Sequence, residues 1–264
     1  MIGAGWSSSR AGAAAVRGPA TARLLTRTKA GGSGSAAAAA APAPPKFVLV
    51  SSLAVAGPRT AADPAREGDP PAPITPYGES KLRGEELLAR EGAGLRRVVV
   101  RPPWVYGPGD RQTLALFRMA SRGFFPAVRG GRMDVSLVHV DDLVEALVLA
   151  GASPAADGRV YYASDGAAHT VAGLGAALLA ACGGGRAVRV PAFVFRLAGL
   201  AGEAASWATR RPALLGRHKA CEALQRGWVC DDARIRAELG YRARIGLPEG
   251  VAATLLWYRR QGWL

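Results

Sequence analysis

The sequence of 264 residues predicts an α/β fold built around a parallel sheet. Two short runs, at 46–52 and 97–101, are rich in β-branched and aromatic residues, as is typical of buried strands. Between them, a loop rich in Pro, Asp and Gly leads to a helical pattern at 76–91. Strand, helix and strand in this order indicate a βαβ unit. We therefore expect ligands to bind beyond the carboxyl ends of the two strands, near Ser52 and Pro102.

The predicted helix at 76–91 begins with a tyrosine and a lysine four residues apart, Tyr77 and Lys81. Residues at i and i+4 share a helix face, so the ammonium can lie near the phenol. A phenol is a poor base at neutral pH, and a nearby cation favours its phenolate form. The pair therefore predicts a proton-transferring site at the start of this helix. The alternative for such a pair is an ordinary solvated helix face.

The C-terminal part of the chain predicts alternating helices and short strands. Asp142 and Glu145 are expected to form a capping box, and we favour this over a metal site at the neighbouring His139. The predicted helices lie at 112–121, 143–151, 171–182, 191–208 and 231–239, with a last one between Pro248 and Gly262.

Several segments, in this order and spacing, resemble the extended short-chain dehydrogenases/reductases. This group contains NAD-dependent epimerases, dehydratases and 3β-hydroxysteroid dehydrogenases. The resemblance runs from about Phe47 to the C-terminus and implies a partial Rossmann-type doubly wound parallel sheet with a smaller C-terminal α/β substrate domain. The catalytic strand–helix–strand would occupy 47–110 and a mixed substrate-binding portion 111–264. The segments are 51–57, the helix of Tyr77 and Lys81, 101–108, 136–143, 160–166 and 231–241.

The resemblance also implies a role for each residue of the site. Ser52, five residues before Gly57, would polarise the substrate carbonyl or hydroxyl, and Tyr77 would be the acid/base. Lys81 would favour the tyrosine phenolate, and together with Tyr77 it would hold the nicotinamide ribose. The loop from Pro102 to Val105 would lie against the nicotinamide of NAD or NADP. No metal is implied.

Two departures from the sugar-nucleotide members indicate the substrate class. Those enzymes usually have an asparagine at the position of Trp104, and an arginine that contacts the nucleotide phosphates near Val135. This chain therefore lacks the hydrogen-bonding amide of the asparagine and the bidentate phosphate contact of the arginine. Trp104 supplies a flat apolar surface instead. This favours an apolar alcohol or ketone bound by Ser52 and Trp104, as in the branch similar to 3β-hydroxysteroid dehydrogenases.

Residues 1–46 do not match the cofactor-binding half that the family carries before the catalytic unit. A dinucleotide-binding glycine turn follows a strand, and no strand is predicted before Gly3 and Gly5, so these glycines do not indicate such a turn. The segment combines a Gly-Ser run at 31–35 with an alanine block and has Lys and Arg but no Asp or Glu. We expect a disordered low-complexity tail, favouring an artefact or a truncation over an organelle transit peptide. The strand at 47–51 would then have an unpaired edge.

Three functions follow as hypotheses. The first is an NAD(P)-dependent oxidoreductase or epimerase acting on an alcohol or ketone, inactive in this chain for want of the cofactor half. The second is a non-catalytic remnant or scaffold of the same fold. The third is a nucleotide-sugar epimerase or dehydratase.

Composition limits the partners. The net charge of +14 accompanies no nucleic-acid-binding motif, so we expect a small-molecule substrate and no nucleic acid. The basic cluster at 210–219 is expected to be a solvated face, with an anionic substrate or membrane surface as the alternative. No apolar run reaches the ~20 residues of a membrane span.

Cys182, Cys221 and Cys230 lack the spacing of metal ligands or of a disulfide framework. This favours a reducing compartment, the cytoplasm, with organelle targeting by residues 1–46 as the alternative. A homodimer is left open.

Overall fold

The computed structural model describes residues 12–16, 46–92, 94–128, 132–209 and 216–264. Within these ranges, the strands are β1 (Gly12–Val16), β2 (Lys46–Val50), β3 (Arg97–Arg101), β4 (Trp104–Tyr106), β5 (Phe124–Val128), β6 (Asp134–His139), β7 (Val160–Tyr162), β8 (Ala168–Thr170), β9 (Arg186–Val190) and β10 (Gly227–Trp228).

The helices alternate with these strands along the chain, as expected for an α/β fold. Short 3₁₀ turns at Leu53–Val55 and Pro154–Ala156 complete the regular structure of the described residues. The helices are α1 (Pro76–Glu91), α2 (Leu114–Ser121), α3 (Val140–Ala152), α4 (Val171–Ala181), α5 (Ala192–Thr209), α6 (Arg217–Ala223), α7 (Ala233–Leu239) and α8 (Leu247–Arg260).

The first sheet has the strand order β1-β2-β3-β7, in which β2, β3 and β7 run parallel. Val48 pairs with Val98, and Val99 pairs with Val160. Helix α1 connects β2 to β3, and both α1 and β3 have the bounds that the sequence predicts. The parallel α/β fold is therefore confirmed. The carboxyl ends of β2 and β3 lie at one edge of the sheet, where Ser52 and Pro102 follow them.

The outer edge of β2 is occupied by β1, which pairs with it antiparallel from Gly12 opposite Val50 to Val16 opposite Lys46. The expectation that this edge is unpaired is therefore wrong, because a segment N-terminal to the predicted core supplies the missing backbone partners. Gly12–Val16 lies within the segment expected to be disordered. Residues 1–11 and 17–45 lie outside the described residues, so the prediction for most of that segment stays a prediction.

Two apolar clusters form on either side of a second sheet, in which β10, β6 and β4 run parallel and β8 is antiparallel to β6. One cluster joins this sheet to β2 and β3 through Val48, Val98 and Val138. The other contains Phe117 and Tyr258 and is built largely by α2, α4 and α8. Strands β5 and β9 pair separately, in parallel. The second sheet thus connects the βαβ unit to the C-terminal helices.

The start of α3 differs from the sequence expectation. The helix begins at Val140, and the imidazole of His139 caps it by accepting a hydrogen bond from the Asp141 N–H at 3.3 Å. The predicted capping box of Asp142 and Glu145 is wrong. The Asp142 carboxylate instead accepts backbone N–H bonds from residues 244 and 245, each at 3.1 Å. A distant segment therefore competes successfully for the predicted capping side chain.

The other predicted helices occur within a few residues of their expected bounds. None of the helices described here combines the length and the apolar character that crossing a bilayer requires.

Candidate active site

The first turn of α1 is held by a side-chain cap. Thr75 is buried in an extended conformation, and its hydroxyl accepts a hydrogen bond from the Gly78 N–H at 3.3 Å. Pro76 occupies the first helical position, where its missing N–H costs nothing. Tyr77 follows and is half-buried. These local signals explain why the helix begins here and places the tyrosine at its N-terminal end.

Lys81 lies one turn further along α1 and is 7% exposed. Its ammonium donates a hydrogen bond of 3.2 Å to the Val50 carbonyl, at the end of β2. The same nitrogen lies 5.7 Å from the centroid of the Tyr77 ring. Burial lowers the pKa of Lys81 from its ordinary value, because the charged form loses hydration. Lys81 is therefore turned toward the sheet edge, not toward solvent.

Ser52 follows β2 in an extended conformation and is half-buried. Its hydroxyl oxygen accepts a hydrogen bond of 3.2 Å from the Ala54 N–H, capping the turn Leu53–Val55. Since a hydroxyl has one hydrogen to donate, this bond leaves the O–H of Ser52 to donate elsewhere.

A glycine allows the turn after Ser52 to approach the first turn of α1 closely. A Cβ atom at Gly78 would lie 2.6 Å from the Ala54 carbonyl oxygen, well inside contact distance. Gly78 is the neighbour of Tyr77, and Ala54 lies two residues after Ser52. Together with the bond from Lys81 to Val50, this close packing brings the elements of Ser52, Tyr77 and Lys81 to one edge of the sheet.

The loop after β3 is joined to the same edge. The Pro102 carbonyl accepts a hydrogen bond of 2.9 Å from the Leu53 N–H. Beyond it, Trp104 and Val105 belong to β4 and, as neighbours in a strand, face opposite sides. Val105 packs against the cluster of Val48 and Val98. Pro102 thus lies beside the turn of Ser52, whereas the described contacts of Val105 are with the core.

Trp104 packs against the C-terminal cluster and is half-buried. It borders an apolar void of about 10 Å³, together with Leu137, Leu174 and Leu178. A volume of this size corresponds to one water molecule. The void therefore cannot hold a substrate, and the predicted role of Trp104 depends on its remaining exposed surface.

A buried ion pair, which was not predicted from the sequence, joins the strand β3 to the helix that carries Tyr77 and Lys81. Arg101, the last residue of β3, donates hydrogen bonds of 2.9 and 2.6 Å to the carboxylate of Glu85 on α1. The two side chains are 6% and 10% exposed. Ser51 donates to the same carboxylate, and Arg101 also donates to the Tyr162 hydroxyl at 3.3 Å. The network connects β2, β3 and β7 to the helix that carries Tyr77 and Lys81.

A sequence signal for this network exists. Glu85 lies four residues after Lys81, so it shares the helix face of Tyr77 and Lys81, which the sequence already assigns to the site. Arg101 ends a buried strand, where a charged residue needs a partner. Neither signal, however, predicts that Glu85 and Arg101 pair with each other.

Glu67 is a second buried charged residue near the site that was not predicted from the sequence. It lies in the loop between Ser52 and α1, and its carboxylate accepts a hydrogen bond of 3.2 Å from the Tyr162 N–H at the end of β7. Its side chain is 6% exposed and lies 3.8 Å from the Arg234 guanidinium. Burial raises the pKa of Glu67, although the backbone bonds and Arg234 oppose the shift. The residue anchors this loop over the carboxyl edge of the sheet.

The donor set at this edge fits the nicotinamide ribose of a dinucleotide. An ammonium has three hydrogens to donate, and the described contacts of Lys81 use one of them, to Val50. The remaining donors suit sugar hydroxyls beside Tyr77. Gly3, Gly5 and the run at 31–35, which the sequence analysis rejected as a phosphate-binding turn, lie outside the described residues.

Known proteins similar to this chain include two reductases and a sugar-nucleotide epimerase. The ceramide reductase of Caulobacter vibrioides is 34% identical over 222 residues, covering 83% of this chain and 64% of that protein. The 4-hydroxy-2-methyl-3-oxo-4-farnesyl-3,4-dihydroquinoline-1-oxide ketoreductase of Stigmatella aurantiaca is 33% identical over 191 residues, covering 70% and 56%. The crystal structure of Thermus thermophilus UDP-glucose 4-epimerase with NAD superimposes with a TM-score of 0.62 and 23% identity, covering 81% and 64%.

The chain spans less than two thirds of the length of each of these relatives. The family model of the NAD dependent epimerase/dehydratase family matches residues 13–163, which is more than half of the chain. The match begins upstream of Phe47, where the sequence resemblance was placed. By this match the chain belongs to the NAD dependent epimerase/dehydratase family.

Proposed function

We propose that this chain carries the catalytic site of an NAD(P)-dependent oxidoreductase that interconverts an alcohol and a ketone. The observation that carries the proposal is the buried ammonium of Lys81, bound to the Val50 carbonyl and placed 5.7 Å from the Tyr77 ring centroid. A lysine without a functional or structural role would keep its ammonium group in water on the helix surface, since burying the charge costs free energy. Burial next to a phenol at the sheet's carboxyl edge favours a functional role.

The three side chains have distinct tasks in this proposal. Tyr77 exchanges a proton with the substrate oxygen, and the Lys81 ammonium beside it stabilises the negative charge that the phenol carries between transfers. Ser52 donates its hydroxyl hydrogen to the same substrate oxygen, since its own oxygen is occupied by the Ala54 N–H. The dinucleotide, when bound, supplies the hydride chemistry. Lys81 and Tyr77 would hold its ribose. Pro102, and the part of the half-buried Val105 side chain that does not pack on the core, would line the nicotinamide side.

The substrate class that we propose is an apolar alcohol or ketone, as in the branch similar to 3β-hydroxysteroid dehydrogenases. Val135 is 1% exposed within β6, so this position offers no group to a nucleotide phosphate. Trp104 presents an aromatic surface on the strand that follows Pro102. The names of two relatives, a ceramide reductase and a ketoreductase of a farnesyl-bearing quinoline oxide, support the same class. A nucleotide-sugar substrate is the less favoured alternative.

The direct test is a titration of purified protein with NADH and with NADPH, followed by tryptophan fluorescence. Saturable binding in the micromolar range, followed by oxidation of the nucleotide when long-chain ketones are added, would support the proposal. A folded sample that binds neither nucleotide would instead support the non-catalytic remnant or scaffold. Turnover of UDP-sugars but not of apolar ketones would overturn the proposed substrate class.

A further inference from the structure

Helix α5 exposes a row of large apolar side chains. Phe193 is 61% exposed, Leu197 58% and Leu200 50%. At 3.6 residues per turn, these three positions lie within about 60° of the helix circumference and form one stripe. Val194 borders the stripe, and Val188 on the preceding strand β9 is also exposed. Exposed apolar patches of this kind mark interaction sites.

The opposite side of α5 is the one that packs on the protein. Gly199 is buried, and a Cβ atom there would lie 2.8 Å from the Ala220 Cβ on α6. Phe195, close to Gly199 on the helix circumference, is half-buried. The stripe is therefore turned away from the protein and has no covering element among the described residues.

The surroundings of the stripe are basic. Glu203 and Glu222, the acidic residues in the described parts of 183–228, are both paired, with Arg217 at 3.7 Å and Lys219 at 3.0 Å. Arg186, Arg189 and Arg196 are exposed, and no ion pair of the described residues includes them. The sequence adds Arg210 and Arg211 immediately after α5. An apolar stripe is thus flanked by unbalanced positive charge.

We propose that this surface, formed by α5 and β9, docks on the anionic face of a lipid bilayer, with α5 lying in the plane of the interface. Phe193, Leu197 and Leu200 would enter the boundary between headgroups and acyl chains, and the arginines would contact lipid phosphates. Among the described helices none can span a bilayer, so attachment would be peripheral.

Charge favours a bilayer over a second copy of this chain. In a two-fold interface the same patch faces itself, so the positive charges of Arg186, Arg189 and Arg196 on one copy would face the same set of charges on the other. Like charges facing each other are destabilising, whereas an anionic bilayer neutralises them. The proposal depends only on this surface and is independent of the catalytic one.

The test is co-sedimentation of the full chain with phosphatidylcholine vesicles, with and without phosphatidylglycerol. We expect binding to the anionic vesicles that weakens as salt is added. The double variant Phe193→Ser/Leu197→Ser should bind at least about tenfold more weakly, because two apolar side chains no longer enter the lipid. Arg189→Glu/Arg196→Glu should lose most of the preference for phosphatidylglycerol.

The matched control is Val144→Ser/Val148→Ser on α3, since these residues are 52% and 53% exposed and have the same i, i+4 spacing. The control should bind as the unaltered chain does. Absence of binding to anionic vesicles at low salt would overturn the proposal, as would equal losses in the control. If Phe193→Ser/Leu197→Ser instead dissociates a dimer in analytical ultracentrifugation while vesicle binding persists, the occupant is a second copy and the proposal is wrong.

Discussion

Arg101 and Glu85 form a two-point ion pair, with N···O distances of 2.9 and 2.6 Å, that joins the end of β3 to the middle of α1. The pair lies one helical turn after Lys81 and almost entirely out of contact with solvent. Burial disfavours the charged guanidinium, but the Glu85 carboxylate outweighs this and raises the pKa of Arg101. The orientation of the candidate catalytic helix therefore depends on a contact between residues that belong to different elements.

Replacing Glu85 by Ala should lower the free energy of unfolding by about 3–5 kcal/mol, because it leaves the Arg101 charge buried without a partner. Urea denaturation followed by circular dichroism measures the loss. Glu86→Ala is the control, since Glu86 is exposed on the same helix. Equal midpoints for the two variants would show that the ion pair contributes nothing to stability.

Removing the Tyr77 hydroxyl should separate chemistry from binding. In Tyr77→Phe we expect the rate of ketone reduction to fall by about 10²–10⁴-fold, since the proton donor is lost. NAD(P)H affinity should fall by a much smaller factor, since only one of the proposed ribose contacts is removed. Stopped-flow absorbance and the fluorescence titration measure the two quantities.

Lys81→Met should behave differently, weakening NAD(P)H binding about tenfold or more, because charged hydrogen bonds to the ribose are lost. Arg83→Met, on the exposed face of the same helix, is the matched control. Unchanged affinity in Lys81→Met would contradict the assigned ribose contact.

Gly78→Ala tests the close approach of α1 to the turn after Ser52. Alanine favours helices by about 1 kcal/mol over glycine, yet its Cβ would lie 2.6 Å from the Ala54 carbonyl oxygen. We expect a net destabilisation of about 1–3 kcal/mol in urea, together with reduced activity, because the turn must shift. Gly68→Ala, where nothing lies within 4 Å of the added atom, should be neutral. A stabilised Gly78→Ala variant would show that the two turns are not in contact.

His139 predicts a dependence of stability on mildly acidic pH. Burial lowers the pKa of His139 below its ordinary value of 6.5, although Asp141 and Asp142 oppose the shift. Between the lowered pKa of the folded chain and 6.5, the unfolded chain therefore binds more protons than the folded chain does. Stability is then fully present above 6.5 and falls as the pH drops below it.

His139→Asn keeps a side-chain acceptor for the Asp141 N–H and removes the titrating group. Urea midpoints between pH 7.5 and 5.5, a range of roughly two units around the His pKa, should therefore vary less in this variant than in the unaltered chain. Identical slopes for His139→Asn and the unaltered chain would refute the assignment.

Local signals account for the parts of the fold that were predicted correctly. The bounds of α1 follow from Thr75 and Pro76 at its start and Gly92 at its end, all within one turn of the helix they delimit. The strand β3 follows from a run of valines that is buried on both faces. The placement of Lys81 one turn after Tyr77 on the same helix face needed only the helix period.

The capping of α3 was decided at long range. Asp142 has the local features of a capping residue, but its carboxylate instead accepts hydrogen bonds from the backbone N–H groups of residues 244 and 245, about a hundred positions away. His139 then provides the cap. Similarly, the edge of β2 is covered by β1 from a segment with no strand signal. Backbone donors and acceptors must find partners wherever the chain provides them, and sequence proximity does not limit that choice.

The sequence alone determined the fold class, the family and the residue types of the candidate site, since each depends on spacings of a few residues. Only the tertiary structure decided that Lys81 is buried against Val50, that Glu85 and Arg101 support it, that Trp104 and Val105 face different cores, and that the stripe on α5 is left exposed. These depend on which surfaces meet when distant segments pack, and packing is a property of the whole chain.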